Sequence, residues 1–159
     1  MYKLDFASPI GVIEIVGTEY FISSVLFADR EEIQFLQTNV TPALLLNCYK
    51  ELDEYFNGHR LEFSVLYKLE GTAFQVSVWE ALKNVQYGQT ASYKEIAQLI
   101  ENEKAVRAVG MTNSRNRICI IVPCHRIIGA NGKLTGYAGG LWRKEWLLNH
   151  ELKHQLILS

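Results

Sequence analysis

The sequence predicts an α+β protein of two small domains: a strand-and-helix domain over residues 1–70, and a mostly helical domain over residues 71–159 that contains a helix-turn-helix. Three observations predict it. Strand-like runs of β-branched and aromatic residues crowd the first 70 positions, whereas apolar residues at helical spacing dominate after Gly71-Thr72. The charge changes sign at the same place: residues 1–70 carry 5 Lys/Arg against 11 Asp/Glu, a balance of −6, and residues 71–159 carry 11 against 6, or +5. Finally, 159 residues suffice for one ordinary domain or two small ones, and 48% hydrophobic against 21% charged residues supports a buried core.

Tyr2 to Phe6 alternates loosely, Ser8-Pro9-Ile10-Gly11 is turn chemistry, and Val12 to Val16 and Tyr20 to Phe27 are strand-like, so a three-stranded meander is predicted. Thr41 caps a helix with Pro42 at its first position, running to about Phe56, where Asn57-Gly58 stops it. Leu45, Cys48, Tyr49, Leu52 and Phe56 share one side of it, which makes Cys48 a packed core thiol. Leu61 to Val65 alternates cleanly and is predicted as the last strand.

In the second half, Phe74 to Val85 has helical spacing and ends at Tyr87-Gly88. Ser92 and Glu95 form a capping box at the head of a helix through Ile100, and after Glu101-Asn102-Glu103 a second, basic helix runs from Lys104 to about Thr112. Such a pair suits a helix-turn-helix. Ile118 to Val122 is wholly apolar and is predicted as a buried strand ending at Pro123. Gly129 to Gly132 is a turn, Gly136 to Gly140 a flexible loop, and Leu141 to Leu152 an amphipathic helix.

Composition excludes several classes. No apolar run is long enough to span a bilayer, and the start lacks the basic-then-apolar pattern of a secretory signal. Three cysteines are an odd, low number, which argues against a disulfide framework and fits a reducing, cytoplasmic setting. Lys104 to Arg126 holds five basic residues and no acid, which reads either as a solvated basic face or as a surface for a polyanion.

Cys124 is the leading candidate for chemistry. It follows an apolar run, stands next to His125 and Arg126, and precedes a glycine-rich loop. A thiol attacks as thiolate, and neighbouring bases and cations favour that form. Cys119, inside the apolar run without a polar neighbour, reads as structural. His150-Glu151-Leu152-Lys153-His154 matches the zinc-peptidase pattern, but no further ligand follows it, and no metal is assigned. Gly136 to Gly140 lacks the lysine and Ser/Thr of a phosphate loop.

Several blocks occur in order: Gly71-Thr72-Ala73-Phe74-Gln75, Val78-Trp79-Glu80-Ala81-Leu82, Tyr87 to Tyr93, Arg107-Ala108-Val109-Gly110, Pro123-Cys124-His125-Arg126, Gly136 to Gly140, and Lys144 to Leu148 with Glu151. Together they resemble the O6-alkylguanine-DNA alkyltransferase family over residues 71–151. The first half is similar only in outline to that family's ribonuclease-H-like N-terminal domain, and the second to its winged-helix-like DNA-binding domain. The resemblance implies direct repair of double-stranded DNA: stoichiometric, irreversible transfer of the alkyl group of O6-alkylguanine to Cys124 by a monomer that uses no cofactor and contacts the minor groove. O4-methylthymine is a second candidate base. A non-catalytic lesion binder of the same fold is the alternative from another class, and the presence of Cys124 argues against it.

Residue by residue, the resemblance implies that Cys124 is the acceptor, that His125 and Glu151 draw its proton through a bridging water, and that Asn116 holds the region together. Tyr93 would contact the flipped nucleotide and help protonate the departing guanine. Gly136, Tyr137 and Ala138 would line the base pocket. Arg107 would fill the gap left by the base, with Ala108 and Gly110 allowing close approach and Lys104, Arg115 and Arg117 binding phosphates. The chain departs from the family pattern at Gln86, Glu103 and Arg117, where proline is usual.

Overall fold

The computed structural model describes residues 1–158, with side-chain surroundings through Gln155. The chain forms two compact units, Met1–Lys68 and Leu69–Ile157. In the first, β1 (Tyr2–Ser8), β2 (Gly11–Gly17) and β3 (Ile22–Phe27) form the expected antiparallel meander. Helix α1 (Ala43–Phe56) covers one face of it, and Ile13, Ile15, Ile22, Leu45 and Leu52 meet in a core that water does not reach. Pro42 is the N-cap of α1 rather than its first residue. Cys48 is a core thiol as expected, and burial pushes it up to about 12. Tyr49 departs from the predicted buried side, being 40% exposed, and Tyr55 takes its place in the core.

Leu61 to Val65 is not a strand. Its backbone is claimed by α1: the buried Glu51 carboxylate accepts from Ser64 N–H at 2.8 Å and from Ser64 Oγ at 2.5 Å. Pairing begins only beyond it, where Ile22 N–H reaches Leu66 O and Lys68 N–H reaches Ile22 O, each at 2.9 Å. A second buried acid, Asp5, binds Arg30 through both carboxylate oxygens and accepts from the N–H groups of Gln34 and Phe35. Burial opposes its charge, but Arg30 and these N–H groups hold its carboxyl below the ordinary range. Part of the acidic excess of the first half is therefore internal scaffolding.

The second unit holds α2 (Ala73–Leu82), β4 (Ala91–Ser92), α3 (Tyr93–Leu99), α4 (Val106–Ser114), β5 (Ile127–Ile128) and α5 (Leu141–Leu158). Reciprocal capping boxes start α2 (Thr72 with Gln75) and α3 (Ser92 with Glu95). Helix α4 begins two residues later than predicted, capped by Ala105. Helices α3 and α4 pack as the expected pair, with Trp79 Nε1 of α2 donating to Thr112 O at 2.9 Å. The bend at Tyr87-Gly88 closes without proline: Gln89 N–H bonds Gln86 O at 3.0 Å, and Gly88 supplies a φ of +77°.

Ile118 to Val122 is buried but is not a strand either. The chain folds back on itself, with Ile121 N–H on Cys119 O and Val122 N–H on Ile118 O. Ile120 sits at φ +73°, a region that β-branched residues avoid. The buried Asn116 side chain enforces the turn, accepting from Ile118 N–H at 2.9 Å and donating to Ile118 O and Val122 O at 3.2 and 2.9 Å. A single turn of 3-10 helix, Cys124–Arg126, follows at once and leads into β5, which pairs in parallel with β4.

Candidate active site

Cys124 stands at the mouth of the Asn116 turn and is 3% exposed. Its N–H bonds Val122 O at 2.8 Å, and its carbonyl accepts from Asn113 Nδ2 of α4 at 3.2 Å, so the backbone on both sides of the sulfur is fixed. Three polar groups act on the charge of the sulfur: the Cys119 thiol, the Asn116 side chain and the Lys144 ammonium. Cys119 leads these in holding the Cys124 thiol below its ordinary value, against the opposing effect of burial.

The next residue, His125, is fully buried. Its Nε2 lies 2.6 Å from Glu151 Oε2 on α5, so the anionic carboxylate fixes the proton on Nε2 and leaves the lone pair on Nδ1. That Nδ1 is buried and has no hydrogen-bond partner among the described residues. Burial holds the imidazole below its ordinary range, outweighing the pull of Glu151, so the ring is neutral at neutral pH and free to accept a proton.

Glu151 anchors the group. Besides His125 it accepts from Arg126 Nε at 2.8 Å, Arg126 Nη2 at 3.1 Å and Gly88 N–H at 3.2 Å. Burial would raise this carboxyl, but His125 and Arg126 together hold it far below the usual carboxylate range. Arg126 reaches on to Val85 O at 2.8 Å and so ties the end of the α2 segment to α5. It is therefore an internal residue, not part of the basic face on which its sequence position placed it.

On the other side of Cys124, Lys144 of α5 is buried, and its Nζ donates to Thr135 O at 2.6 Å. Burial pulls it down to about 8, while the charge of Cys124 acts the other way. Tyr93, at the start of α3, shares the same anchor: its hydroxyl donates to Thr135 O at 3.1 Å and accepts from Thr135 Oγ1 at 3.0 Å. Tyr137 is buried, whereas its neighbours Gly136 and Ala138 are exposed. A Cβ on Gly110 would stand 3.7 Å from the Tyr93 ring, so α4 lies close against this tyrosine.

The structure thus brings Cys124, His125, Asn116 and Glu151 into one cluster, with Tyr93 tied to Lys144 through Thr135, and it buries Tyr137. Lys104, Arg107, Ala108, Arg115 and Arg117 form no part of that cluster and lie exposed on or beside α4. Sequence reasoning missed Cys119, Asn113 and Lys144, and it read Arg126 as a cation beside Cys124 rather than as a partner of Glu151. Cys119 was expected to lack polar neighbours, and instead its Sγ lies 3.8 Å from Asn116 O while Cys124 and burial push its thiol well above the ordinary value. Only Lys144 carried a local signal, as a lysine on the apolar side of an amphipathic helix. The zinc pattern is dismantled by the fold: Glu151 is turned to His125 and Arg126, His150 stacks on Trp146, and His154 donates to His150 O at 2.8 Å. Among the described residues no group of three His, Cys, Asp or Glu is arranged to hold a metal ion.

Comparison with known proteins gives a consistent result. The family model for the 6-O-methylguanine DNA methyltransferase DNA-binding domain matches residues 73–153, and that for the ribonuclease-like domain matches residues 1–69. A methylated-DNA–protein-cysteine methyltransferase of Methanosarcina acetivorans is 49% identical over 95% of this chain and 98% of its own. The protein of that name from Mycobacterium leprae is 44% identical over 96% and 92%. A crystal structure of the Mycobacterium tuberculosis protein in complex with DNA superposes with a TM-score of 0.87 at 40% identity, covering 97% of this chain and 94% of that one.

Proposed function

The chain belongs to the 6-O-methylguanine DNA methyltransferase family, whose members reverse DNA alkylation directly by moving the alkyl group to a protein cysteine, and within that reaction we propose that Cys124 is the acceptor. One observation carries this reading: Cys124, its thiol held below the ordinary value, directly precedes a neutral, buried His125 whose Nδ1 lone pair is unclaimed. In the proposed step, Nδ1 takes the thiol proton through a bridging water, and Glu151 stabilises the imidazolium that results. The sulfur then attacks the alkyl carbon in line, an S–C bond forms as the C–O bond breaks, and the guanine oxygen leaves as a hydrogen-bonded or protonated group. Tyr93 is the donor assigned to that purpose. The product is a thioether, which these residues have no means to hydrolyse, so each molecule acts once.

A sulfur this buried cannot reach a base within the stack, so the nucleotide must rotate out, at a cost of a few kcal/mol. The exposed Arg107 on α4 is suited to hold the gap from the minor groove, with Ala108 and Gly110 presenting little bulk around it. Lys104, Arg115 and Arg117 would neutralise phosphates, and Gly136, Tyr137 and Ala138 would wall the pocket. Residues 71–159 then supply both DNA binding and alkyl acceptance, in a protein that acts as a monomer in the cytoplasm. The test is direct: incubate the protein with duplex DNA carrying O6-methylguanine and map its peptides by mass spectrometry. The expected result is one methyl on Cys124 and restored guanine. An unmodified Cys124 with the methyl still on the base would refute the assignment.

A further inference from the structure

Gly136 to Gly140 supplies the wall of the base pocket in the reading above, and it has little stiffness of its own. Three of its five residues are glycine, Gly136 and Gly140 sit at φ +41° and +95°, and its one large side chain, Tyr137, is buried. What holds this wall lies on the first turn of α5. There two adjacent cations grip two different carbonyls of the loop: Lys144 Nζ donates to Thr135 O at 2.6 Å, and Arg143 Nη1 donates to Gly139 O at 2.9 Å. Gly136, Tyr137 and Ala138 are strung between these two pins.

The pins differ in kind. Lys144 is wholly buried, and the carbonyl it holds is also bonded by the Tyr93 hydroxyl at 3.1 Å. The Arg143 pin lies at the surface. Its guanidinium rests on the ring of Trp142, with Cζ 4.6 Å from the ring centre, and that indole is 57% exposed. A Cβ on Gly140 would stand 3.3 Å from Trp142 Cδ1 and 3.4 Å from Nε1, so the same ring also lies against the last residue of the loop. A tryptophan this exposed adds little to a core; it serves instead as a plate that presents the Arg143 fork to Gly139 O. The backbone completes the fastening: Gly140 N–H bonds Tyr137 O at 2.9 Å, and Gly140 O accepts from the N–H groups of Arg143 and Lys144, each at 3.2 Å.

A large alkyl group on the guanine oxygen needs the wall further out than a methyl does. Of the two pins the surface one yields first, because Arg143 can exchange Gly139 O for water, whereas the buried Lys144 has no water to turn to. We propose that Arg143, supported by Trp142, is a positioning residue that sets the size of alkyl group the pocket admits. The proposal rests on Cys124 being the acceptor and on residues 136–138 walling its pocket. Arg143 and Trp142 gain and lose no covalent bond: the S–C bond forms on Cys124 as the C–O bond breaks, and Arg143 acts only through the position of Gly139.

A charge-assisted bond to a half-buried carbonyl favours the pinned wall over the released one by about tenfold. Arg143→Met keeps the stem and removes the donor, so the released wall becomes about tenfold more populated. Transfer of a benzyl group, which uses the released wall, should quicken relative to methyl, and the ratio of the two rate constants should rise about tenfold. Trp142→Ala leaves the donor but takes away its plate, and should raise the same ratio about threefold. Lost folding stability would lower both rates by one factor and leave the ratio where it was.

The assay is transfer from the free O6-methylguanine and O6-benzylguanine bases, which leaves DNA binding out, with the alkyl group mapped to Cys124 in each case. A benzyl-to-methyl ratio that stays the same or falls in Arg143→Met would overturn the proposal. Wild-type protein in which neither base alkylates Cys124 would overturn the acceptor assignment beneath it as well. Hydrogen exchange checks the pin itself: the Gly140 N–H, bonded to Tyr137 O, should exchange about tenfold faster in Arg143→Met, while the N–H of the buried Leu147 on α5 keeps its protection. Equal exchange at Gly140 in variant and wild type would equally overturn the proposal.

Discussion

Replacing Glu151 by glutamine tests whether one buried carboxylate organises the whole site. The substitution preserves shape, so no cavity forms and the effect is electrostatic. Glu151 receives four donors, two on each oxygen: His125 Nε2 and Arg126 Nη2 on Oε2, Arg126 Nε and Gly88 N–H on Oε1. A glutamine keeps one carbonyl oxygen, and its NH2 must face one of these donor pairs head-on. Either choice leaves part of a buried guanidinium uncompensated, and removing one partner of such a pair costs about 3–5 kcal/mol. All three tryptophans, Trp79, Trp142 and Trp146, lie in the second unit, so fluorescence-detected urea or thermal unfolding reports on the right part of the chain.

We expect the melting temperature of Glu151→Gln to fall by at least about 10 °C at neutral pH. The sign of its pH dependence follows from the lowered carboxyl. The folded value lies below the ordinary 4.5, so the wild-type contribution is complete above about 4.5 and is lost as pH falls through the folded value. The gap between wild type and variant should thus be constant at neutral and mildly acidic pH and narrow below about 4.5. Alkyl transfer should slow as well, because His125 loses the group that fixes its tautomer. A variant within about 1 kcal/mol of wild type at neutral pH would refute the reasoning.

Lys144→Met removes a buried cation held down to about 8, whose contact Thr135 O keeps Tyr93 as a donor. Because the unfolded lysine titrates near 10.5, wild type gains stability as pH rises from about 8 to 10.5; the variant should lack that gain, be at least as stable at neutral pH, and transfer the alkyl group more slowly. Unfolding curves and transfer rates on the same samples check both halves. Asn116→Ala strips three hydrogen bonds from a turn that holds Ile120 at positive φ, and should cost about 2–4 kcal/mol by urea unfolding. Arg107→Ala should slow repair of a lesion in duplex far more than reaction with the free base, and added salt should slow only the duplex reaction; equal effects on both substrates would contradict the role given to α4.

What the sequence alone determined was whatever neighbours along the chain decide. The capping box at Ser92 and Glu95, the helices after Gly71, and the meander of β1 to β3 were legible because their signals lie within a few residues of one another. The Cys124-His125 pair was legible for the same reason, and the ordered motif blocks carried the family. The fold decided the rest. Leu61 to Val65 alternates like a strand, but alternation describes a face and not a partner, and Glu51 took the Ser64 N–H that a ladder would need. Ile118 to Val122 looks like a buried strand because hydropathy reports burial and is blind to a turn tied by a side chain outside the run. Arg126 reads as surface charge until α5 brings Glu151 to it, and Lys144 reads as one more helix cation until folding buries it on Thr135 O. Charges and thiols take their chemistry from the groups that surround them in space, and chain folding alone decides which groups those are.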